Sequence, residues 1–305
     1  MTDGAPEAPE PEKKQGVSQG TKTRWISGII AALIAFPPLA FGDALVVGVV
    51  ALVATLICMT EFIGMALPNE KRSTLPLMVL LGLPVFAASA TSTSHGSLPA
   101  WALPSQSNPT MLAFIFAMVV SSAWFLFTAK TTDGLADRWA RFILGLLWVP
   151  FLIGLFPALR ALDGGRGWLW APLFASWGGD IGGYFAGRAF GKTPMFPLIS
   201  PKKTWAGFFG GVTLAIVALV VFKFVFFPQM TLVDCVILGI LCDLSGVFGD
   251  LIQSMVKRTY GVKDAGRIMP GHGGLLDRID STIFALPTAY MYLVFVRPLL
   301  EPLLG

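Results

Sequence analysis

Residues 205–227 read WAGFFGGVTLAIVALVVFKFVFF, an unbroken apolar run whose one charge, Lys223, lies near its end. A helix needs about 20 mostly apolar residues to cross the hydrocarbon core of a bilayer. Inside lipid each backbone N–H and C=O must be satisfied within the fold, which leaves helices and closed barrels. A run this long without two-residue alternation is a membrane helix rather than a barrel strand. The same signature recurs along the chain and predicts spans over 25–41, 44–67, 75–90, 111–129, 141–159, 168–187, 205–227, 232–256 and 280–298. The first and third are short and hold Pro37, Pro38 and Pro84, which spans tolerate where neighbours satisfy the freed carbonyl. Composition agrees: 54% of residues are hydrophobic and 13% charged, about half the charged share of a soluble domain. Mean hydropathy is +0.70. The expected fold class is all-α, a polytopic helical membrane protein with about nine transmembrane helices.

Lys and Arg in the connections orient such a protein, since they collect on the cytoplasmic side. With nine spans, all of the 22 Lys and Arg except Arg160, Arg166, Lys223 and Arg297 fall on the same side as the N-terminus. The loop from Thr91 to Thr110 has none and belongs outside. The N-terminus and the polar inner loops are then cytoplasmic, and the expected location is a cell (inner) membrane, multi-pass. Residues 1–24 are rich in Glu, Pro, Lys, Gln and Ser and cannot bury a core, so they read as a disordered cytoplasmic tail. Residues 25–305 read as a single helical membrane domain. Cys58, Cys235 and Cys242 lie in apolar runs and form no disulfide framework.

Ionisable residues inside spans are costly and point to function. They are Glu61, Asp180, Asp234, Asp243 and Asp250. Asp234 sits at an outer helix end, where a solvated cap accounts for it, and Glu61 lies close enough in sequence to pair with Lys71 or Arg72. At about 100° per residue, Asp243, Asp250, Ser254 and Lys257 share one stripe of the eighth span, leading from mid-membrane to the inner surface.

That stripe runs into the most polar loop of the chain: Lys257-Arg258, Lys263-Asp264, Pro270-Gly271-His272-Gly273-Gly274 and Asp277-Arg278-Ile279-Asp280. Glycines let backbone N–H groups approach phosphate, and Lys and Arg match its charge. Carboxylates without thiolates favour hard cations, Mg²⁺ before Zn²⁺. The combination suggests phosphoryl or nucleotidyl transfer. A plain positive-inside loop binding anionic head groups would explain the cations, but neither the carboxylates nor the HisGlyGly turn. A second inner loop joins it. Asp180, Tyr184 and Arg188 repeat every four residues on one helix face, and Ser200-Pro201-Lys202-Lys203-Thr204 reads as a turn and helix start. Gly207, Gly210 and Gly211 read as close contacts between helices.

The run Ser254-Met255-Val256-Lys257-Arg258, Lys263-Asp264-Ala265-Gly266, Pro270-Gly271-His272-Gly273-Gly274-Leu275-Leu276-Asp277-Arg278-Ile279-Asp280 resembles the hallmark motif of the phosphatidate cytidylyltransferases, the CDP-diacylglycerol synthases. Met269 departs mildly from the usual Leu, Ile or Phe. The stretch from Asp180 to Trp205 is similar to the family's upstream motif, so the resemblance covers residues 175–285. It implies that CTP and phosphatidic acid, a membrane lipid, condense to CDP-diacylglycerol and pyrophosphate, with Mg²⁺ as cofactor, no nucleic acid, and a homodimer. It further implies a metal site of Asp250 and Asp277, with Asp280 next. Lys202, Lys203, Lys257, Arg258, Lys263 and Arg278 become phosphate contacts, and Asp180, Ser200 and His272 supporting residues. The catalytic set is then Asp250, Asp277, Asp280, Lys257 and His272. A CTP-dependent lipid-alcohol kinase and an ion-coupled transporter remain as rival readings. The first would put the γ-phosphate of CTP into lipid, and the second would need neither CTP nor these loops.

Overall fold

The computed structural model describes residues 17–92 and 108–304. Each expected span is helical. The helices are α1 (Val17–Phe41), α2 (Ala44–Ala66), α3 (Lys71–Ala90), α4 (Pro109–Thr128), α5 (Leu135–Leu146), α6 (Leu152–Ala161), α7 (Gly165–Phe190), α8 (Trp205–Val225), α9 (Leu232–Thr259), α10 (Thr282–Met291) and α11 (Arg297–Leu304). A π-helical turn over Leu147–Phe151, around Pro150, joins α5 to α6 in one continuous run, Leu135–Ala161. A second wide turn, Tyr292–Val296, joins α10 to α11. Among the described residues seven helices are long and apolar enough to cross a membrane. The apolar part of α1, Ile26–Phe41, is shorter. Helix α7 has the length, but Arg166, Asp180, Arg188 and its many glycines dilute its apolar character. Helix α1 begins at Val17, inside the segment read as a tail, and residues 1–16 lie outside the described residues. So does most of the loop expected outside, 93–107.

Apolar side chains pack in two clusters. One gathers Met59, Phe62, Met78, Leu81, Phe142 and Trp148 from α2, α3, α5 and the turn after it. The other gathers Leu159, Leu169, Leu219, Leu238 and Leu286 from α6 to α10. In lipid such packing depends on close fit rather than on expelling water, so small residues matter. Between α7 and α8 the backbones nearly touch: a Cβ on Gly182 would strike the Gly210 carbonyl, and one on Gly210 would strike Ala186. The three cysteines are buried and free.

Two local features depart from the expected pattern. Residues 194–204 form an antiparallel hairpin, β1 (Pro194–Phe196) with β2 (Ser200–Thr204), pairing Pro194 with Thr204 and Phe196 with Ser200. The Ser-Pro-Lys-Lys-Thr segment is therefore a strand rather than a turn. It is still a helix start, because Thr204 caps α8 by accepting from the Gly207 N–H at 3.2 Å. Phe196 docks the hairpin on Phe248 of α9. Asp234 caps α9 with Thr231, as expected, but it is buried rather than solvated. Its carboxylate accepts from the Tyr292 hydroxyl at 2.6 Å, with the Arg297 guanidinium 3.4 Å away.

At the opposite end, Arg138 pairs with Glu70 at 2.9 Å. Arg141 donates to the Ala66 carbonyl at 3.2 Å and lies over the Tyr260 ring. These contacts tie α5 to the α2–α3 turn and to the end of α9. Because α7 carries Asp180 and α9 carries Asp250, the seam they share with α8 sets the site. Gly182→Val should force α7 from α8 and cost about 1–3 kcal/mol as overpacking does. The check is a lower melting temperature in detergent beside an unaltered control such as Val217→Ala on the exposed face of α8.

Candidate active site

The polar stripe of α9 meets two loops at one end of the bundle. The turn Met269-Pro270-Gly271-His272 closes with the His272 N–H donating to the Met269 carbonyl at 2.9 Å. Pro270 supplies the fixed φ of the second turn position and Gly271, at φ +78°, the left-handed third. Gly273, at φ +85°, pairs back on Met269 and lies against Asp277, where a Cβ would meet Oδ2 at 2.8 Å. The sequence Pro-Gly-His-Gly-Gly thus folds as a tight type II turn that brings His272 and the Gly274 amide round toward Asp277.

Asp277 is only 5% exposed, and its carboxylate accepts four hydrogen bonds. Oδ1 takes Lys257 Nζ at 2.8 Å and Gln253 Nε2 at 3.1 Å. Oδ2 takes the Ala265 N–H at 2.8 Å and the Gly274 N–H at 2.9 Å. Burial alone would push this carboxyl up, but the Lys257 ammonium and the two amides outweigh it and hold it below the usual carboxylate range. As arranged, every acceptor direction of Asp277 is filled by a protein donor, and a metal there would have to displace one.

Glu61 grips the same loop from α2. Its carboxylate accepts from the Leu275 N–H at 3.0 Å and the Leu276 N–H at 2.9 Å. The sequence-level pairing with Lys71 or Arg72 does not occur. Gln253, fully buried, donates to the Leu276 carbonyl at 2.9 Å as well as to Asp277. Sequence reasoning missed Gln253, although an amide on the polar side of a span was a signal. Ser27 of α1 was missed too, and nothing nearby in sequence marks it. Its hydroxyl lies 2.8 Å from His272 Nδ1 and donates to the Pro270 carbonyl at 3.0 Å.

A second group of carboxylates lies on the other side of α9. Lys203 Nζ of the hairpin sits 2.6 Å from Asp250 Oδ2, and Ser254 Oγ is 3.5 Å from Asp250 Oδ1. The Asp280 carboxylate accepts from the Ser281 N–H at 2.8 Å. Burial first, and then the charge of Asp250, push Asp280 up to about 6; its backbone carbonyl packs against Gly249, the residue before Asp250. Asp180 lies within electrostatic reach of Lys203 and Asp250, and Asp243 of Asp180 and Lys203. Asp243 is 4% exposed, wedged against Gly179 and Gly211, and its Oδ2 has no hydrogen-bond partner among the described residues. Arg188 donates to the Tyr184 hydroxyl at 3.0 Å, as their spacing predicted. Lys202, Arg258, Lys263 and Arg278 are exposed and form no ion pair among the described residues. Ser200, half-buried in β2, starts the strand that carries Lys203.

No group of three or more His, Cys, Asp or Glu that could cage a metal occurs among the described residues. Mg²⁺ does not require one: it keeps waters and binds through one or two carboxylates plus substrate phosphates. The neighbouring Asp250 and Asp280, both half-buried with an oxygen not engaged by backbone, fit that requirement.

Over 191 residues the chain is 38% identical to a phosphatidate cytidylyltransferase of Mycobacterium bovis, covering 59% of this chain and 62% of that one. It is 36% identical over 151 residues to a phosphatidate cytidylyltransferase of Bacillus subtilis, covering 49% of this chain and 56% of that one. A third, from Haemophilus influenzae, is 44% identical over 126 residues. The matched part thus spans less than two thirds of these relatives. The model of the cytidylyltransferase family, in contrast, runs from residue 22 to residue 296, from within α1 to the end of the wide turn after α10 and through both polar loops that form the site, and the chain belongs to that family.

Proposed function

We propose that the protein transfers the cytidylyl group of CTP to phosphatidic acid, giving CDP-diacylglycerol and pyrophosphate for phospholipid synthesis. The observation that carries this reading is the placement of Asp280 against Gly249, next to Asp250, at the end of apolar spans, with Lys203 on Asp250 and with Lys202, Arg258, Lys263 and Arg278 exposed and without ion pairs among the described residues. Family membership and the names of the relatives support the choice of nucleotide and lipid. The Lys and Arg bias supports a cytoplasmic N-terminus and site, where CTP is available, and the reading places the chain in an inner cell membrane. A homodimer belongs to the same reading and rests on the resemblance.

In this reading an oxygen of the lipid phosphate attacks the α-phosphorus of CTP in line, and the bond from that phosphorus to the β-phosphate bridge breaks. Asp250 and Asp280 would hold Mg²⁺, which when bound neutralises phosphate charge. Lys202, Arg258, Lys263 and Arg278 receive the triphosphate and the departing pyrophosphate. Lys203 orients Asp250. Asp277 fixes Lys257 and the HisGlyGly turn, and so acts as a positioning residue through them. A phosphate monoester, with a second pKa of about 6, is largely dianionic near neutral pH, so no strong base is needed and His272 orients rather than deprotonates.

With α-labelled CTP, Mg²⁺ and phosphatidic acid, purified protein should place label in lipid. Asp280→Asn should lower that rate at least about 100-fold, in the range lost with a transition-state charge stabiliser. Unlabelled lipid from folded wild-type protein would sink the proposal, and label entering lipid only from γ-labelled CTP would assign a kinase instead. His272→Gln should keep the shape of the pH–rate profile, and a lost titration limb would make His272 a base. Asp277→Asn removes the partner of a Lys257 side chain that is 13% exposed. It should cost about 3–5 kcal/mol, read as a fall in melting temperature together with lost activity.

A further inference from the structure

A cleft of about 530 Å³ opens on the far side of the catalytic loop, between α2, the first residue of α3, and residues 265–268. It is lined at one end by Leu56 and Ile57, which lie two to three turns inside the apolar span of α2. At the other end are Lys71, just beyond that span, and Arg267. Neither cation has an ion pair or side-chain hydrogen bond among the described residues, whereas Arg138, Arg141, Lys203, Lys257 and Arg297 each meet a carboxylate. Glu61 also faces the cleft, but both its oxygens are committed to the Leu275 and Leu276 amides. Gly64 forms part of the floor: a Cβ there would sit 3.2 Å from Lys71 Nζ.

We infer that this cleft binds the phosphate head of an anionic membrane lipid. A phosphate is what two unpaired cations at a bilayer surface attract, each contributing to binding of anionic head groups. The apolar inner end decides between sources. A free phosphate needs only the charged rim, whereas a lipid fills both halves, with its chains beside Leu56 and Ile57 and its head between Lys71 and Arg267. The site is separate from Asp250, Asp280 and Lys203, and does not depend on the proposed reaction. It does share a wall with it, because Ala265 donates to Asp277 and Gly266 abuts Glu61.

The test uses the full chain in detergent, titrated with phosphatidylglycerol and followed by native mass spectrometry. Phosphatidylglycerol is a phosphodiester and cannot serve as the proposed acceptor, so binding is read apart from turnover. Wild type should bind it, and Lys71→Gln/Arg267→Gln should weaken that binding roughly tenfold or more. Arg72→Gln, an exposed neighbour, should bind as wild type does. Gly64→Leu, which fills the floor without altering charge, should give the same loss and covers the case of a misfolded double variant. Equal affinity in wild type, the double variant and Gly64→Leu overturns the inference. So does displacement of the lipid by inorganic phosphate, which would assign the cleft to a free anion.

Discussion

Everything at the polar end of the bundle hangs on one buried carboxylate. Asp277 has almost no contact with water, a position that by itself favours the neutral acid. Four donors reverse this, and they come from three separate pieces of chain: Gln253 and Lys257 on α9, Ala265 in the loop that follows, and Gly274 after the turn. The chain between α9 and α10 contains no helix or strand of its own. Its shape therefore comes from that shared acceptor, and from Glu61, which holds the next two amides from across the fold. A buried charge is strongly stabilised by complete satisfaction and strongly destabilising without it, so the loop has one arrangement rather than many.

The spans bear the cost of this arrangement. Helix α7 gives up enough apolar character that it no longer resembles an ordinary span, and it regains stability through contact with α8. Glycines on facing positions let the two backbones approach until Cβ atoms would collide. That same closeness makes the slot in which Asp243 sits against Gly179 and Gly211. The glycines that a sequence reader takes as helix packing and the carboxylate taken as a functional charge are thus two parts of one seam. A bulkier side chain on either helix would move Asp180 and Asp243 apart together.

Much of this was legible in the sequence because it is local or periodic. Apolar length gave the nine helical runs, and four-residue spacing gave the contact of Arg188 with Tyr184. Pro-Gly-His gave a turn whose type follows from proline and glycine chemistry. What sequence could not supply is pairing across long separations. Glu61 meets Leu275 and Leu276 after more than 200 residues of intervening chain, and no spacing rule reaches that far; nearby Lys71 was simply the closest cation. Asp277 and Asp280 look equivalent in the motif. Only the positions of the Ala265 and Gly274 amides distinguish the carboxylate that is fully engaged from the one left beside Asp250. The hairpin was hidden for a related reason: a two-stranded pair over Lys202 and Lys203 has no apolar alternation to announce it.

The charges that remain are sorted by sign and depth. Asp180, Asp243, Asp250 and Asp280 cluster along α7, α9 and the entry to α10, with Lys203 the one ammonium ion-paired among them. Lys202, Arg258, Lys263 and Arg278, in the hairpin, at the end of α9 and in the loop after it, are exposed and without counter-ions among the described residues. A simple anion would satisfy the outer set and be repelled by the inner one, and a bare metal ion would do the reverse. In the proposed reading, a nucleoside triphosphate carrying a divalent cation would satisfy both, the carboxylates holding the cation and Lys and Arg meeting the phosphates. The pattern of charge is therefore compatible with the proposed metal–nucleoside triphosphate substrate. It also explains why this end of a membrane protein keeps so many unpaired cations in water while placing its carboxylates against helices.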